Sequence, residues 1–222
     1  NKALDIKELE GRLCYGGFDL SETEDFTSAC LEFPLENNEF FVLSHSWIPE
    51  YKVNTDREKL DWEGLARDGL ITIVPGRYVD YKLVYDWFEE QRGKYRIDTI
   101  GYDPAKAFWL VQAMKEKGYV MNEVRQGELT LTAPMDDLKE RFLDGNIIHN
   151  KNRMFRWYLA NVRLTKRGPN ATYLPTKQSK SRKIDGFAAF LDAHTEYMRR
   201  NSIRIAPDQK VSRVIDLGGL LG

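Results

Sequence analysis

Cysteine, histidine and long apolar runs are scarce in this chain. Its two cysteines, Cys14 and Cys30, lie in apolar stretches. They are too few for a disulfide framework and lack metal-ligand spacing, so both read as buried, reduced core residues of a cytosolic protein. The three histidines, His45, His149 and His194, are isolated from one another. They suggest no Ser-His or Cys-His nucleophile, and His149 reads as a surface or capping residue. No apolar run approaches the ~20 residues of a membrane span. The N-terminus lacks the charged, apolar and small-residue order of a secretory signal. A Gly-x-x-x-x-Gly-Lys-Ser/Thr loop is missing too, so nothing can cradle nucleotide phosphates in that manner. What remains is 222 residues with 42% hydrophobic content, enough for one good core. The chain opens on Asn1 rather than Met, and we expect a piece of a longer protein.

Acidic residues are missing from one long segment. From Gly145 to Ile184 there is no Asp or Glu, but ten Lys and Arg: Lys151, Arg153, Arg156, Arg163, Lys166, Arg167, Lys177, Lys180, Arg182 and Lys183. The first forty residues carry ten acids against Lys2, Lys7 and Arg12. A net charge of −1 therefore conceals a basic patch that can attract a polyanion. The plainer reading is a solvated face with a basic loop. The DNA-contacting candidates are Lys151, Arg153, Arg156, Lys177, Lys180, Arg182 and Lys183.

The hydrophobic pattern predicts three strands in succession, Leu13 to Phe18, Phe26 to Phe33 and Phe40 to Ser46, joined as an antiparallel meander. Residues 50–70 read as helical in pieces. A helix follows from Val79 to Gln91, then a strand from Ile97 to Tyr102. Pro104 suits the first turn of the next helix, and Val120 to Val124 is a fifth strand. Helix, strand, helix, strand implies parallel crossovers. A further helix should start at Thr132 to Met135. Arg153 to Leu164 is ambiguous, Gly168 to Ser181 reads as a basic loop, and Ile184 to Met198 is a helix. The expected fold is α/β: a mixed five-stranded sheet, meander then parallel strands, flanked by helices.

Three aspartates stand at the ends of these elements. Asp19 closes the first strand, Asp103 closes the fourth and Asp185 opens the last helix. Carboxylates so placed can meet a hard divalent cation or a pair of them, as a phosphodiesterase requires. Asp25 is an auxiliary ligand candidate, or a turn-capping aspartate. For Asp185 the competing reading is an acid favoured by the helix dipole. Asp98 enters its strand rather than leaving it, so it stands outside the set.

Several segments resemble one family in the same order: Tyr15-Gly16-Gly17-Phe18-Asp19-Leu20-Ser21, Trp47-Ile48-Pro49, Ile73-Val74-Pro75-Gly76, Gly101-Tyr102-Asp103, Phe155-Arg156-Trp157 and Lys183-Ile184-Asp185-Gly186. The sequence resembles the nuclease domain of tailed-bacteriophage terminase large subunits of the lambda-like, HK97-like branch, over residues 12–200. The resemblance implies an RNase H-like fold with Asp19, Asp103 and Asp185 as catalytic and metal ligands, Asp19 bridging two Mg²⁺ or Mn²⁺ ions. It implies an endonuclease cutting double-stranded viral concatemer DNA with little sequence specificity during genome packaging. Residues 1–11 would be the lead-in from a missing ATPase domain, and residues 201–222 a tail. The implied partners are that ATPase domain, the small terminase subunit and the portal, in the cytoplasm of an infected bacterium. Lys183 would approach the scissile phosphate or orient a ligand, the plainer reading being one more member of the basic loop. The alternatives are a resolvase- or transposase-type strand cutter of the same fold, or a non-catalytic DNA-gripping module.

Overall fold

A computed structural model describes residues 2–21, 26–55, 60–167, 172–177 and 182–204. Strands β1 (Leu13–Asp19), β2 (Thr27–Pro34) and β3 (Phe40–Pro49) form the expected antiparallel meander. Asn37 and Asn38 take the left-handed conformation in the β2–β3 connection, which asparagine tolerates well. Two short helices, α1 (Glu50–Thr55) and α2 (Trp62–Arg67), lead into β4 (Ile71–Val74), which pairs parallel to β3. Helix α3 (Lys82–Arg92) carries the chain to β5 (Arg96–Tyr102), which pairs parallel to β1. Helix α4 (Phe108–Glu116) then leads to β6 (Met121–Glu123), parallel to β5.

Next come α5 (Glu128–Leu143), β7 (Ile147–Ile148), α6 (Arg153–Asn161), the hairpin β8 (Val162–Arg167) and β9 (Thr172–Lys177), and α7 (Asp185–Arg204). The sheet order is β4-β3-β2-β1-β5-β6, with β7 paired to the start of β3. The five expected strands thus form the centre in the order β3-β2-β1-β5-β6, the arrangement of the RNase H-like fold. Two short strands extend it.

Both faces are covered, which is why β1 and β2 are buried along nearly their whole length. Alternation sorts their side chains. Phe18, Ala29, Leu31 and Phe33 pack with Val84, Phe88, Leu110 and Met114 of α3 and α4. Cys30 and Val42 join Leu138, Phe155, Tyr158, Phe187 and Phe190 of α5, α6 and α7 on the other face. Both cysteines are buried and free.

Some boundaries differ from expectation. The apolar run at Ile71–Val74 is a strand, because it finds the open edge of β3. Helix α5 starts four residues before Thr132 and runs through Pro134, since Leu131, Met135 and Leu138 share its buried side. Within the segment expected as a basic loop, Thr172–Lys177 forms β9 against β8. Helix α7 continues past the expected tail boundary to Arg204. The expected lead-in is tied to the body: Leu9 is buried, and the Asn150 side chain makes two hydrogen bonds with the Leu4 backbone. His149 is buried rather than on the surface, its ring 5.6 Å from that of Phe155. No helix among the described residues is long and apolar enough to cross a membrane.

Candidate metal centre

Asp19 and Asp103 come together through strand register. β1 and β5 are adjacent and parallel, with Gly17 opposite Gly101 and Phe18 opposite Tyr102. Asp19 and Asp103 each follow the last of these pairs by one residue, so both lie at the same end of the two neighbouring strands. Phe18 and Tyr102 stack on each other on the α3–α4 face, so period-two alternation turns Asp19 to the face that carries α7. Asp103 is steadied by its own turn, with the Ala105 amide donating to Oδ1 at 2.9 Å.

Asp185 arrives by a different route. Helix α7 lies against β1 and β5 where both strands have glycine. A Cβ at Gly17 would fall on the Ala189 carbonyl oxygen, and one at Gly101 would lie 2.5 Å from that of Asp192. Further back on β1, Tyr15 meets Tyr197, ring centres 5.6 Å apart. The helix therefore runs antiparallel to β1, and its N-terminus lies at the Asp19 end. Asp185 precedes the Gly17 crossing by about six residues, or about 9 Å of helix rise. Asp19 lies two residues beyond the same crossing, about 7 Å. The carboxylates consequently share one end of the sheet.

A buried polar chain ties the two sides of this end. Ser28, paired with Asp19 across β2, lies 2.8 Å from the Ser46 hydroxyl, which accepts from Tyr158 Oη at 3.0 Å. The Tyr158 ring packs against Gly186, next to Asp185. Asn161 Nδ2 donates to the Lys183 carbonyl at 2.9 Å, fixing the entry to α7.

A fourth carboxylate, not expected from the sequence, lies beneath. Asp192 of α7 is 1% exposed. Burial, together with the neighbouring charges of Asp19, Asp103 and Glu196, pushes its carboxyl well above the usual range, opposed by a hydrogen bond from Gln126. Its sequence signal was its spacing: seven residues after Asp185 is the same side of a helix. Among the described residues no three His, Cys, Asp or Glu side chains are already gathered as an ion cage. The donors at this end are all carboxylate oxygen, which suits a hard cation such as Mg²⁺ or Mn²⁺. Asp25 lies outside the described residues.

Asp98 is elsewhere. It sits five residues before Asp103, near a register shift in the β1–β5 ladder, with Oδ2 2.8 Å from Arg200 Nε.

The basic candidates fall into two groups. Lys151, Arg153 and Arg156 are exposed around the start of α6, where Arg153 pairs with Asp61 at 3.3 Å and Asp68 at 3.6 Å. Lys177 ends β9, and Arg182 and Lys183 lie just before α7; Lys180 is outside the described residues. Lys183 is 9% exposed, and its ammonium lies 5.9 Å from the Phe26 ring centre. It faces the protein between β2 and α7, unlike the exposed bases of α6.

The strand order and the acids at one end of the sheet define an RNase H-like α/β domain with an acidic centre. The chain belongs to the family of terminase large-subunit endonuclease domains, whose description matches residues 2–201. It is similar to the terminase large subunit of Enterobacteria phage HK97, 24% identical over 189 residues, which is 80% of this chain and 36% of that protein. The crystal structure of the HK97 large terminase superposes with a TM-score of 0.74 at 22% identity, covering 85% of this chain and 40% of that one. The large terminase nuclease of thermophilic phage G20c, solved with bound magnesium, gives a TM-score of 0.54 at 8% identity over 84% of each chain. The chain thus spans well under half the length of its HK97 relative.

Proposed function

We propose that this domain is a divalent-cation-dependent endonuclease that cuts double-stranded viral DNA during genome packaging. The observation that carries this reading is the placement of Asp19 and Asp103 side by side at the ends of parallel strands, with Asp185 brought to the same end by α7. The family and the magnesium-bound structure of a related nuclease support it. Asp19, on the central strand, would bridge two cations, with Asp103 and Asp185 each holding one. A cation pair, when bound, supplies a nucleophilic water at neutral pH and stabilises the leaving oxygen. The protein's own part is to fix those oxygens on rigid strand ends and a buried helix start. The exposed bases hold the phosphate backbone, which positions a substrate without reading its sequence.

In the longer protein an ATPase domain, the small terminase subunit and the portal would complete the machine, in the cytoplasm of the infected host. Incubation with plasmid DNA under Mg²⁺, Mn²⁺ or chelator tests the reading. Cleavage in both metals and none in chelator is expected; DNA left intact in all three would refute it.

Asp103→Ala and Asp185→Ala should each reduce cleavage nearly as much as loss of Asp19, while Asp98→Ala should leave it largely intact. Initial rates on plasmid at saturating Mn²⁺ check this. An essential Asp98 with a dispensable Asp103 would place the metal centre at the opposite end of β5.

Replacing Lys177, Lys180 and Arg182 together with Ala should weaken DNA binding and flatten its salt dependence. Each cation withdrawn from a phosphate lowers the slope of log K against log salt by ~0.9, so withdrawing three changes it by roughly 2–3. A salt titration identical to that of the parent would move the DNA track to Lys151, Arg153 and Arg156.

A further inference from the structure

The sheet-facing side of α7 carries acids whose surroundings differ. Glu196 is fully buried, but Arg199 Nη1 and Asn122 Nδ2 each donate to it at 2.6 Å. On β5, facing the same helix, Asp98 has Arg200. Asp192 is as deeply buried, yet its hydrogen-bond donor is the neutral amide of Gln126, at 3.1 Å, itself anchored on the Val124 carbonyl. The charges that act on Asp192 are all carboxylates: Asp19, Asp103 and Glu196. Among the described residues it has no ion pair with Lys, Arg or His.

A carboxylate in such a place is costly to bury, because desolvation is offset only when an opposite charge is near. A side chain that merely filled this space would be better as Asn or Leu. The approach is also unusually close: only the paired glycines Gly17 and Gly101 allow the α7 backbone to come near enough to set Asp192 between the two strands. Two residues further along those strands are Asp19 and Asp103. The cationic charge that Asp192 lacks is therefore expected where the two strand-end ligands would hold it.

We infer that Asp192, clamped by Gln126, is a positioning residue of the divalent-cation centre, completing its negative charge from inside the protein without being one of its strand-end ligands. This rests on the nuclease reading above. Gln126 orients one carboxylate oxygen, leaving the group fixed rather than free to swing. Groups that support metal ligands in this way change affinity about 10- to 100-fold when removed.

The test is a Mn²⁺ titration followed by calorimetry and by thermal melting, on the parent, Asp192→Asn and Gln126→Leu. Asp192→Asn keeps the shape and the bond to Gln126. Without metal it should melt at or above the parent temperature, since the cost of burying an unpaired carboxyl among other acids has been removed. Its half-saturating Mn²⁺ concentration should rise about tenfold or more. Gln126→Leu should shift the titration in the same direction by a smaller factor, which keeps the inference testable if the first variant folds poorly. A purely structural Asp192 would show the reverse, a lower metal-free melting temperature and an unchanged Mn²⁺ isotherm, and that result would overturn the inference. Failure of the parent itself to bind Mn²⁺ would instead remove the metal centre, and this inference with it.

Discussion

Asp19→Asn is expected to lower DNA cleavage by roughly a thousandfold or more, equivalent to about 4 kcal/mol of transition-state stabilisation, while leaving the fold intact. Asparagine keeps the size of the side chain and its place opposite Ser28. It removes the charge that would hold two cations together. The variant should also be no less stable than the parent without metal, because it removes the Asp19 charge that acts unfavourably on the buried Asp192 carboxyl. Thermal melting in chelator and cleavage in Mn²⁺ together check the claim. Substantial nicking by a well-folded Asp19→Asn protein would end the bridging assignment.

The second large effect concerns stability and lies away from the metal centre. His194 is fully buried on α7, with Nδ1 2.7 Å from Glu32 Oε1 and Nε2 2.8 Å from Asp137 Oδ2. Both ring nitrogens face carboxylates, and only the imidazolium can donate from both. Burial alone would lower the His194 pKa, but Glu32 and Asp137 outweigh it and hold it at about 9. Arg141 completes the group: it donates to Asp137, lies over the Phe40 ring at 4.1 Å and reaches the Asn38 carbonyl at 3.0 Å. The network thus ties the β2–β3 turn to α5 and α7.

His194→Ala would leave the buried Glu32 without its ionic partner, at a cost of about 3–5 kcal/mol, or a fall in melting temperature of about 6–20 °C for a domain of this size. A change of only a degree or two would show that the pair contributes little.

The same network sets a pH dependence. The folded pKa of His194 lies above its unfolded value of 6.5. Its contribution is therefore fully present below pH 6.5 and is lost as pH rises through about 9. The slope attains at most about 1.4 kcal/mol per pH unit for one proton. Asp137 behaves oppositely. Burial would raise its pKa, but His194 and Arg141 bring it to about 2. Its contribution is present above 3.8 and is lost as pH falls toward 2. Melting curves across this range should show the alkaline loss in the parent and not in His194→Ala.

Much of the fold was legible because its central elements obey simple periods. The meander, the helix–strand crossovers and the start of α7 follow from alternation, from 3.6-residue spacing and from turn residues. The order of acids at element ends was legible for the same reason: a strand that stops at an aspartate places it on an edge. Elements that depend on a partner were harder to read. β4 and β7 are four and two residues long and exist because the edges of β3 were available. β9 forms only against β8. His194 looked isolated because Glu32 and Asp137 are 162 and 57 residues away in sequence.

The sequence by itself determined the strand and helix pattern, the charge asymmetry and the candidate acids Asp19, Asp103 and Asp185, because each is a local property of residue type and spacing. Only the tertiary structure decided which carboxylates share a neighbourhood. Register across β1 and β5 set Asp19 beside Asp103, and close approach over Gly17 and Gly101 lowered α7 so that Asp192 sits beneath them. Burial then decided the chemistry of Asp192, since a carboxyl group that is ordinary in water is held well above its usual pKa between a helix and a sheet.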